Sequence, residues 1–182
     1  MKSFQTLAAR EKALPIAADE VTELHAARML LLLKICGSKG RIEGLTKLAK
    51  LDFFCRYPEF FERAAAALET KAKAMIEMNE SPMIRHNYGP WDHRYYQLLP
   101  YLEARGLISV TQQGAAYSFS LTGSGSDVAA ALADELPFRK LRDHMQEVKR
   151  ALGQKSGSQL KKMIYKLFPE EVAQRPRGEV IA

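Results

Sequence analysis

The residues best suited to proton transfer lie between positions 86 and 93. His86, Asn87, Asp92 and His93 place two imidazoles, an amide and a carboxylate around the predicted start of a helix, where the helix dipole acts on nearby charges. General acid–base catalysis also needs a second carboxylate or a nucleophile, which this cluster lacks. We therefore expect Asp92 to interact with the positive first turn of the helix and both histidines to be exposed.

The other residues that could support catalysis form no recognisable motif. The four histidines fall in four segments without metal-site spacing, and Cys36 and Cys55 lie in separate apolar helical patterns, as buried cysteines do. GSGS at 123–126 follows a predicted strand and lacks the downstream lysine of a phosphate loop, so it reads as a helix entry. The sequence therefore predicts a protein that is not an enzyme, with no cofactor, metal or small-molecule substrate.

The composition of the 182-residue chain, 47% hydrophobic and 26% charged, is that of a globular protein. Its longest apolar run, 26–35, is interrupted by Arg28 and Lys34, and the amino terminus lacks an uninterrupted apolar signal core. We expect a cytoplasmic protein that does not bind membranes.

The net charge of +6 is unevenly distributed. Residues 137–168 hold nine basic and two acidic side chains, so the rest of the chain is close to neutral. Such an excess is self-repelling unless an acidic surface or a polyanion lies nearby, and it predicts contact with a partner protein or DNA. The nine basic residues are Arg139, Lys140, Arg142, Lys149, Arg150, Lys155, Lys161, Lys162 and Lys166.

A second, smaller basic set lies earlier in the chain. On a helix over 45–56, Lys47, Lys50 and Arg56 can point away from the leucine stripe and contact phosphate, and Arg94 is a further candidate for nucleic-acid or partner binding. An ordinary solvated helix face explains the pattern of the first three equally well.

The centre of the chain reads as one helix followed directly by a two-stranded hairpin, the pattern of a winged helix. Gly89 and Pro90 are expected to open the helix and Gly106 to close it. Two runs that alternate apolar and polar residues, 108–111 and 117–121, predict the strands.

Three other residues of this segment bear on its use. Tyr88 and Trp91 are expected to pin the helix entry against the core. Pro100 removes an amide that would bond to the carbonyl of Tyr96, so the helix should kink or split. A bent helix fits a straight major groove poorly.

Hydrophobic periodicity predicts the remaining elements. Before the central segment we expect a helix over 17–36 capped by Asp19, a short strand at 41–42, and helices over 45–56 and 59–80. After it we expect a helix over 128–136 capped by Asp127. Basic helices over 138–152 and 159–168 and a loose tail over 175–182 complete the chain.

The predicted fold class is mainly α (α+β), with a winged helix-turn-helix core, a β-hairpin wing and additional C-terminal helices. We divide the chain into an N-terminal extension (1–16), a winged-helix domain (17–136), basic helices packed on it or extending from it (137–170) and a loose tail (171–182).

Four sequence blocks carry a family resemblance: LTKLAKLDFF (45–54), YGPWDHRYYQLLPYLEARGLISV (88–110), YSFSLTGSG (117–125) and QLKKMIYKLFPE (159–170). Together they resemble the small middle component of bacterial ABC-three-component systems, which include Lamassu-type defence. The first three blocks are similar, more distantly, to Panacea/SocA-like proteins.

The resemblance implies a non-enzymatic winged-helix adaptor encoded with an SMC/Rad50-like ATPase and an effector, acting against phage or plasmids. Together with the charge distribution, it leads us to expect that the basic C-terminal helices contact an acidic partner subunit or the backbone of DNA held by that partner. Two alternatives remain: a winged-helix transcription regulator that places helices 45–56 and 88–105 in the DNA groove, and an antitoxin-like protein-binding module.

Overall fold

The computed structural model describes residues 21–76, 83–86, 89–174 and 176–181, and these are mainly helical with a small antiparallel sheet. The helices are α1 (Thr22–Cys36), α2 (Leu45–Arg56), α3 (Pro58–Ala67), α4 (Tyr95–Ala104), α5 (Gly123–Asp134), α6 (Arg139–Leu152) and α7 (Gly157–Leu167). A 3₁₀ turn (Leu136–Phe138) precedes α6 and a π turn (Pro169–Ala173) follows α7. The strands are β1 (Arg41–Glu43), β2 (Ile84–His86), β3 (Gly89–Trp91), β4 (Ile108–Gln113) and β5 (Ala116–Leu121).

Three strands form an antiparallel sheet in the order β1-β5-β4. Phe119 of the central strand β5 lies opposite Ile42 of β1 on one side and Val110 of β4 on the other. Ile42, Ile108 and Phe119 are buried, so one face of the sheet closes the hydrophobic core. β2 and β3 form a separate antiparallel pair.

Helix α1 is the centre of the core. Its run from Met29 to Leu33 is buried on all sides, and the helix packs against α2, α4, α5 and α6. Helix α2 is also enclosed, because α3, α6, α7 and β3 surround it together with α1. None of the described helices combines the length and apolar character needed to span a membrane.

Several local predictions are confirmed. The structure contains the short strand at 41–42, the helix over 45–56 and the hairpin. The first strand of the hairpin extends to Gln113, and the second begins at Ala116. Gly106 closes α4 as expected: it has a φ of 67°, which favours glycine, and the N–H of Leu107 bonds back to the Leu102 carbonyl.

The predicted opening of the central helix is wrong. Gly89 and Pro90 belong to β3, which pairs with β2, and α4 begins only at Tyr95. Gly89 has a φ of 91°, outside the helical region, and Lys50 holds the Pro90 carbonyl from a neighbouring helix. Of the kink or split expected at Pro100, the split does not occur, since α4 is continuous through this exposed residue.

The helix predicted over 59–80 is much shorter than expected. Helix α3 ends at Ala67 because Glu69 adopts a left-handed conformation with a φ of 52°, and Thr70 turns its N–H and hydroxyl back to the Ala65 carbonyl. The chain then crosses α6, where the Met75 N–H lies 3.4 Å from Nδ1 of His144. Residues 77–80 lie outside the described part of the chain.

The helix predicted over 128–136 begins five residues earlier. Thr122, not Asp127, is its cap, because the Thr122 hydroxyl accepts a hydrogen bond from the Gly125 N–H at 3.0 Å. The GSGS segment is thus the first turn of α5, as its interpretation as a helix entry predicted.

The tail does not hang free over its described residues, 176–181. Val180 forms a β-bridge with Ile84, the Ile181 N–H donates to the Met83 carbonyl, and the Ile181 side chain is fully buried. The expectation of a loose tail is therefore wrong there. The predicted cap Asp19, the extension 1–16 and Tyr88 lie outside the described residues.

Candidate interaction surface

Helices α6 and α7 are amphipathic and present their basic sides outward. Helix α6 buries His144, Met145, Val148 and Leu152, and α7 buries Leu160 and Ile164. Helix α7 starts with a capping box, in which the side chains of Ser156 and Gln159 bond to each other's main-chain N–H. Both helices are thereby fixed to the core with defined outer faces.

The nine basic residues of this region differ in exposure. Arg142, Lys149, Lys155 and Lys161 are half-buried. The exposed ones are Arg139, Lys140, Arg150, Lys162 and Lys166.

Two of the predicted binding residues cap helices instead. Lys149 Nζ donates to the carbonyls of Cys36 and Gly37, both at 2.8 Å, at the carboxyl end of α1. Lys47 Nζ donates to the Gly153 carbonyl at 2.9 Å, at the end of α6. Burial, and then the nearby Lys149, lower the Lys47 pKa. These ammonium groups oppose the negative ends of two helix dipoles and fasten α6 to α1 and α2.

Two further cations of this surface have acidic neighbours. Arg142 pairs with Asp143 and also donates to the Ala133 carbonyl at 3.1 Å. Arg150 pairs with Glu147 one turn earlier on α6. These two ion pairs therefore offset part of the basic charge that α6 presents.

The structure does not place Lys50 on a solvent face. The side chain is fully buried, and Nζ donates to the Pro90 carbonyl at 2.7 Å and lies 6.0 Å from the Trp91 ring centre. Burial, assisted by Lys161, lowers the Lys50 pKa to about 7. Helices pack around α2 on nearly all sides, so the basic face that its sequence pattern suggests does not exist.

Arg56 and Arg94 converge on Asp92 in the interior. Arg56 Nη1 lies 2.7 Å from Asp92 Oδ2, and Arg94 Nε lies 2.9 Å from Asp92 Oδ1. Burial alone would raise the Asp92 pKa, but hydrogen bonds from Arg94 and the charge of Arg56 outweigh it and lower the pKa to about 2. The N–H of Arg94, the residue just before α4, also donates to Asp92 Oδ1.

A second buried carboxylate lies beside this group. Arg28 Nε bonds to Asp52 Oδ1 at 3.0 Å, and the Tyr95 hydroxyl donates to Asp52 Oδ2. His25 bridges the two halves, with Nδ1 at 3.0 Å from Arg28 and Nε2 at 2.8 Å from Arg94. We call the seven residues His25, Arg28, Asp52, Arg56, Asp92, Arg94 and Tyr95 the buried ionic cluster.

Most residues of the buried ionic cluster were not predicted from the sequence. Its signal is a charged residue inside an apolar run: Arg28 interrupts the leucine-rich stretch of α1, and Asp52 precedes the two phenylalanines of α2. Because the cluster joins α1, α2 and the start of α4, it fixes how these elements are oriented relative to one another.

The aromatic and thiol side chains have packing roles. Trp91 is buried, and its ring contacts Tyr95 edge to face and stacks on half-buried His86, which confirms that it packs in the core. His93 is exposed, as expected, whereas the expectation that His86 is exposed is wrong, because its ring stacks on Trp91. Cys36 and Cys55 are buried and free of disulfides. Among the described residues, no group of three or more His, Cys, Asp or Glu could hold a metal.

The helix and turn that would read DNA in a winged helix are nearly uncharged. Helix α4 contains no lysine or arginine, and its exposed side includes Tyr96, Gln97 and Glu103. The segment 111–117, which includes the hairpin turn and the adjoining ends of β4 and β5, contains none either. Comparisons with protein-family models, curated proteins and solved structures give no match to this chain.

Proposed function

We propose that this protein is a non-enzymatic winged-helix adaptor that docks on an acidic partner protein through α6 and α7. The main support is the arrangement of charge. Exposed cations are concentrated on the outer sides of these two helices, whereas α4 and the hairpin turn are nearly uncharged. Complementary charge of this kind speeds association and selects the partner's orientation.

The order of elements supports a winged helix. Helix α1, strand β1, helices α2 and α4 and the β4–β5 hairpin follow one another, and β1 pairs with the far side of β5. Helix α3 and the β2–β3 pair are then an insertion before the third helix of the motif. Helices α6 and α7 pack on α1 and α2 and enlarge this core.

The resemblance of the four sequence blocks suggests the identity of the partners. By that likeness they would be an SMC/Rad50-like ATPase and an effector of a cytoplasmic system directed against phage or plasmids. Contact with the DNA backbone would be secondary and would use the same exposed cations, since phosphate contacts need no sequence reading.

The alternative of a transcription regulator has less support. It would need cations on α2 and on the exposed side of α4, but Lys50 and Arg56 are buried and α4 has none. An antitoxin-like module would also bind protein, and a toxin gene next to the coding sequence would favour it.

Co-expression with the products of the adjoining genes tests the proposal. Arg139→Glu/Lys140→Glu on α6 and Lys162→Glu/Lys166→Glu on α7 are introduced separately, and co-purification is measured. The double variant Lys39→Glu/Arg105→Glu is the matched control, because both residues are exposed and the change in charge is identical. Loss in either surface variant with retention in the control supports docking. Retention in all three contradicts it, as does duplex binding with ~10³-fold sequence selectivity, which indicates a regulator.

A further inference from the structure

A cleft of about 300 Å³ lies between the end of α3 and the outer side of α7. Lysines form its rim: Lys155 from the turn before α7, and Lys162 and Lys166 from α7 itself. Leu68, Met163 and Leu167 contribute apolar surface. No acidic residue is among the described residues that line it.

Helix geometry explains why the three lysines share one side. Lys162 and Lys166 are four residues apart, so they project one above the other, and the capped first turn of α7 holds Lys155 near the same side. Leu160 and Ile164 anchor the opposite side of α7 in the core. The cleft is thus built on a helix that cannot rotate without exposing buried leucine and isoleucine.

Three kinds of anionic partner could satisfy three lysines, and the apolar surface discriminates between them. A DNA backbone would contact the ammonium groups but would leave Met163 and Leu167 without an apolar counterpart. Binding to a lipid surface requires apolar side chains that protrude from the protein into the bilayer, whereas Met163 and Leu167 line a concave cleft. An amphipathic protein helix carries carboxylates and apolar side chains on adjoining faces and matches both features.

We propose that this cleft is the docking site for an acidic amphipathic helix of a partner protein. The inference rests on the proposed function and specifies the chemistry of the partner. Apolar side chains of the incoming helix lie against Met163, Leu167 and Leu68, and its glutamates or aspartates face the lysine rim. Exposed ion pairs contribute modestly, so the apolar contacts and the charges act together.

The test is a titration of the full chain, labelled with ¹³C at the methionine methyl groups, with a designed helical peptide. The peptide places leucine at i, i+3, i+4 and i+7 and glutamate beside them, and a second peptide has glutamine for every glutamate. We expect a saturable shift of the Met163 methyl signal with the glutamate peptide. The glutamine peptide should bind at least ~10-fold more weakly, since each lost pair contributes a fraction of a kcal/mol.

Two variants of equal charge change locate the site. Lys162→Glu/Lys166→Glu should weaken binding of the glutamate peptide ~10-fold or more and should bind a lysine-for-glutamate peptide better than the wild type does. Arg139→Glu/Lys140→Glu on α6 should change the affinity less than ~3-fold. The signal of Met145, which is fully buried, reports that each variant is folded.

Three results would overturn the proposal: no shift at Met163, equal binding of the glutamine peptide, or equal loss in both variants. Co-purification with the partner distinguishes a failure of the cleft proposal from a failure of the proposed adaptor function. If only the α6 variant loses the partner, the cleft is wrong and the adaptor stands. If neither variant loses it, both are wrong.

Discussion

The Tyr95 hydroxyl donates a hydrogen bond of 2.6 Å to Asp52 Oδ2, and both side chains are fully buried. The bond joins the first residue of α4 to the middle of α2, within the buried ionic cluster. A buried carboxylate requires such partners, because its desolvation would otherwise make the folded state unstable.

Replacing Tyr95 by phenylalanine should destabilise the protein by about 1–3 kcal/mol, because it removes the donor and leaves a buried carboxylate oxygen short of a partner. Urea unfolding measures the effect. Tyr96→Phe is the control: this side chain is 59% exposed, so the change should stay within about 0.5 kcal/mol. Equal stability of Tyr95→Phe and the wild type would argue against the bond.

Burial raises the pKa of Asp92, but hydrogen bonds from Arg94 and the charge of Arg56 outweigh this effect and lower the pKa from 3.8 to about 2. The low pKa makes the stability of the protein sensitive to acid. The folded state binds the proton less readily than the unfolded state does, so this stabilisation is complete above pH ~4 and is lost as the pH falls towards 2. The wild type should lose about 2 kcal/mol over that window.

The Asp92→Asn variant should lack that part of the acid-dependent loss when free energies of unfolding are compared between pH 4 and 2. At pH 7 it should be less stable than the wild type by about 3–5 kcal/mol, because Arg56 remains buried with its closest carboxylate removed. Asp127→Asn, at an exposed site on α5, should stay within about 0.5 kcal/mol of the wild type at pH 7. Parallel acid curves for the wild type and Asp92→Asn would contradict this assignment.

Lys50 should produce a dependence at alkaline pH. Burial and Lys161 lower its pKa from 10.5 to about 7, so the unfolded chain takes up the proton first as the pH falls. Stability should therefore rise with pH between about 7 and 10.5, by up to about 5 kcal/mol, and should be independent of this group outside that window. Lys50→Met removes the titrating group and should not show this rise. The measurement is the difference between the two unfolding free energies at pH 7, 8.5 and 10; a constant difference would contradict the prediction.

Gly125 and Gly123 form a matched pair in the first turns of α5. A β-carbon on Gly125 would lie 1.8 Å from the Leu107 carbonyl oxygen, whereas one on Gly123 would meet nothing within 4 Å. Gly125→Ala should therefore cost more than about 3 kcal/mol, because two backbone segments must separate. Gly123→Ala should be neutral or stabilise by up to about 1 kcal/mol. Thermal unfolding distinguishes them, and similar melting temperatures would be inconsistent with the close contact at Gly125.

Local patterns predicted the elements whose signals are local. The period of α2, the alternation in the hairpin and the glycine after α4 each lie within a few residues. The start of α4 could not be predicted in this way, because Pro90 is a good first helical residue by its own chemistry. Its strand conformation depends on pairing with β2 and on Lys50, which is forty residues away in sequence.

For the candidate binding residues too, local patterns predict some features and miss those that depend on distant contacts. Amphipathic periodicity is a sufficient guide to the outer side of α6 and α7, since each packs on the core along one side only. It could not predict that Lys50 and Arg56 are buried, because their positions on α2 look solvated until α3, α7 and β3 are placed around them. Charged residues within apolar runs, such as Arg28, were the available signal for the buried ionic cluster.

The capping roles of Lys47 and Lys149 have a consequence for the ionic-strength dependence of binding. Ammonium groups held by main-chain carbonyls displace few condensed counterions from a polyanion, because they do not reach its phosphates. If only the five exposed cations of the C-terminal helices contact phosphates, log K should fall with log salt at a slope of about −4 to −5, against about −8 if all nine did. The salt dependence thus counts the cations that face solvent, separately from those that hold the helices together.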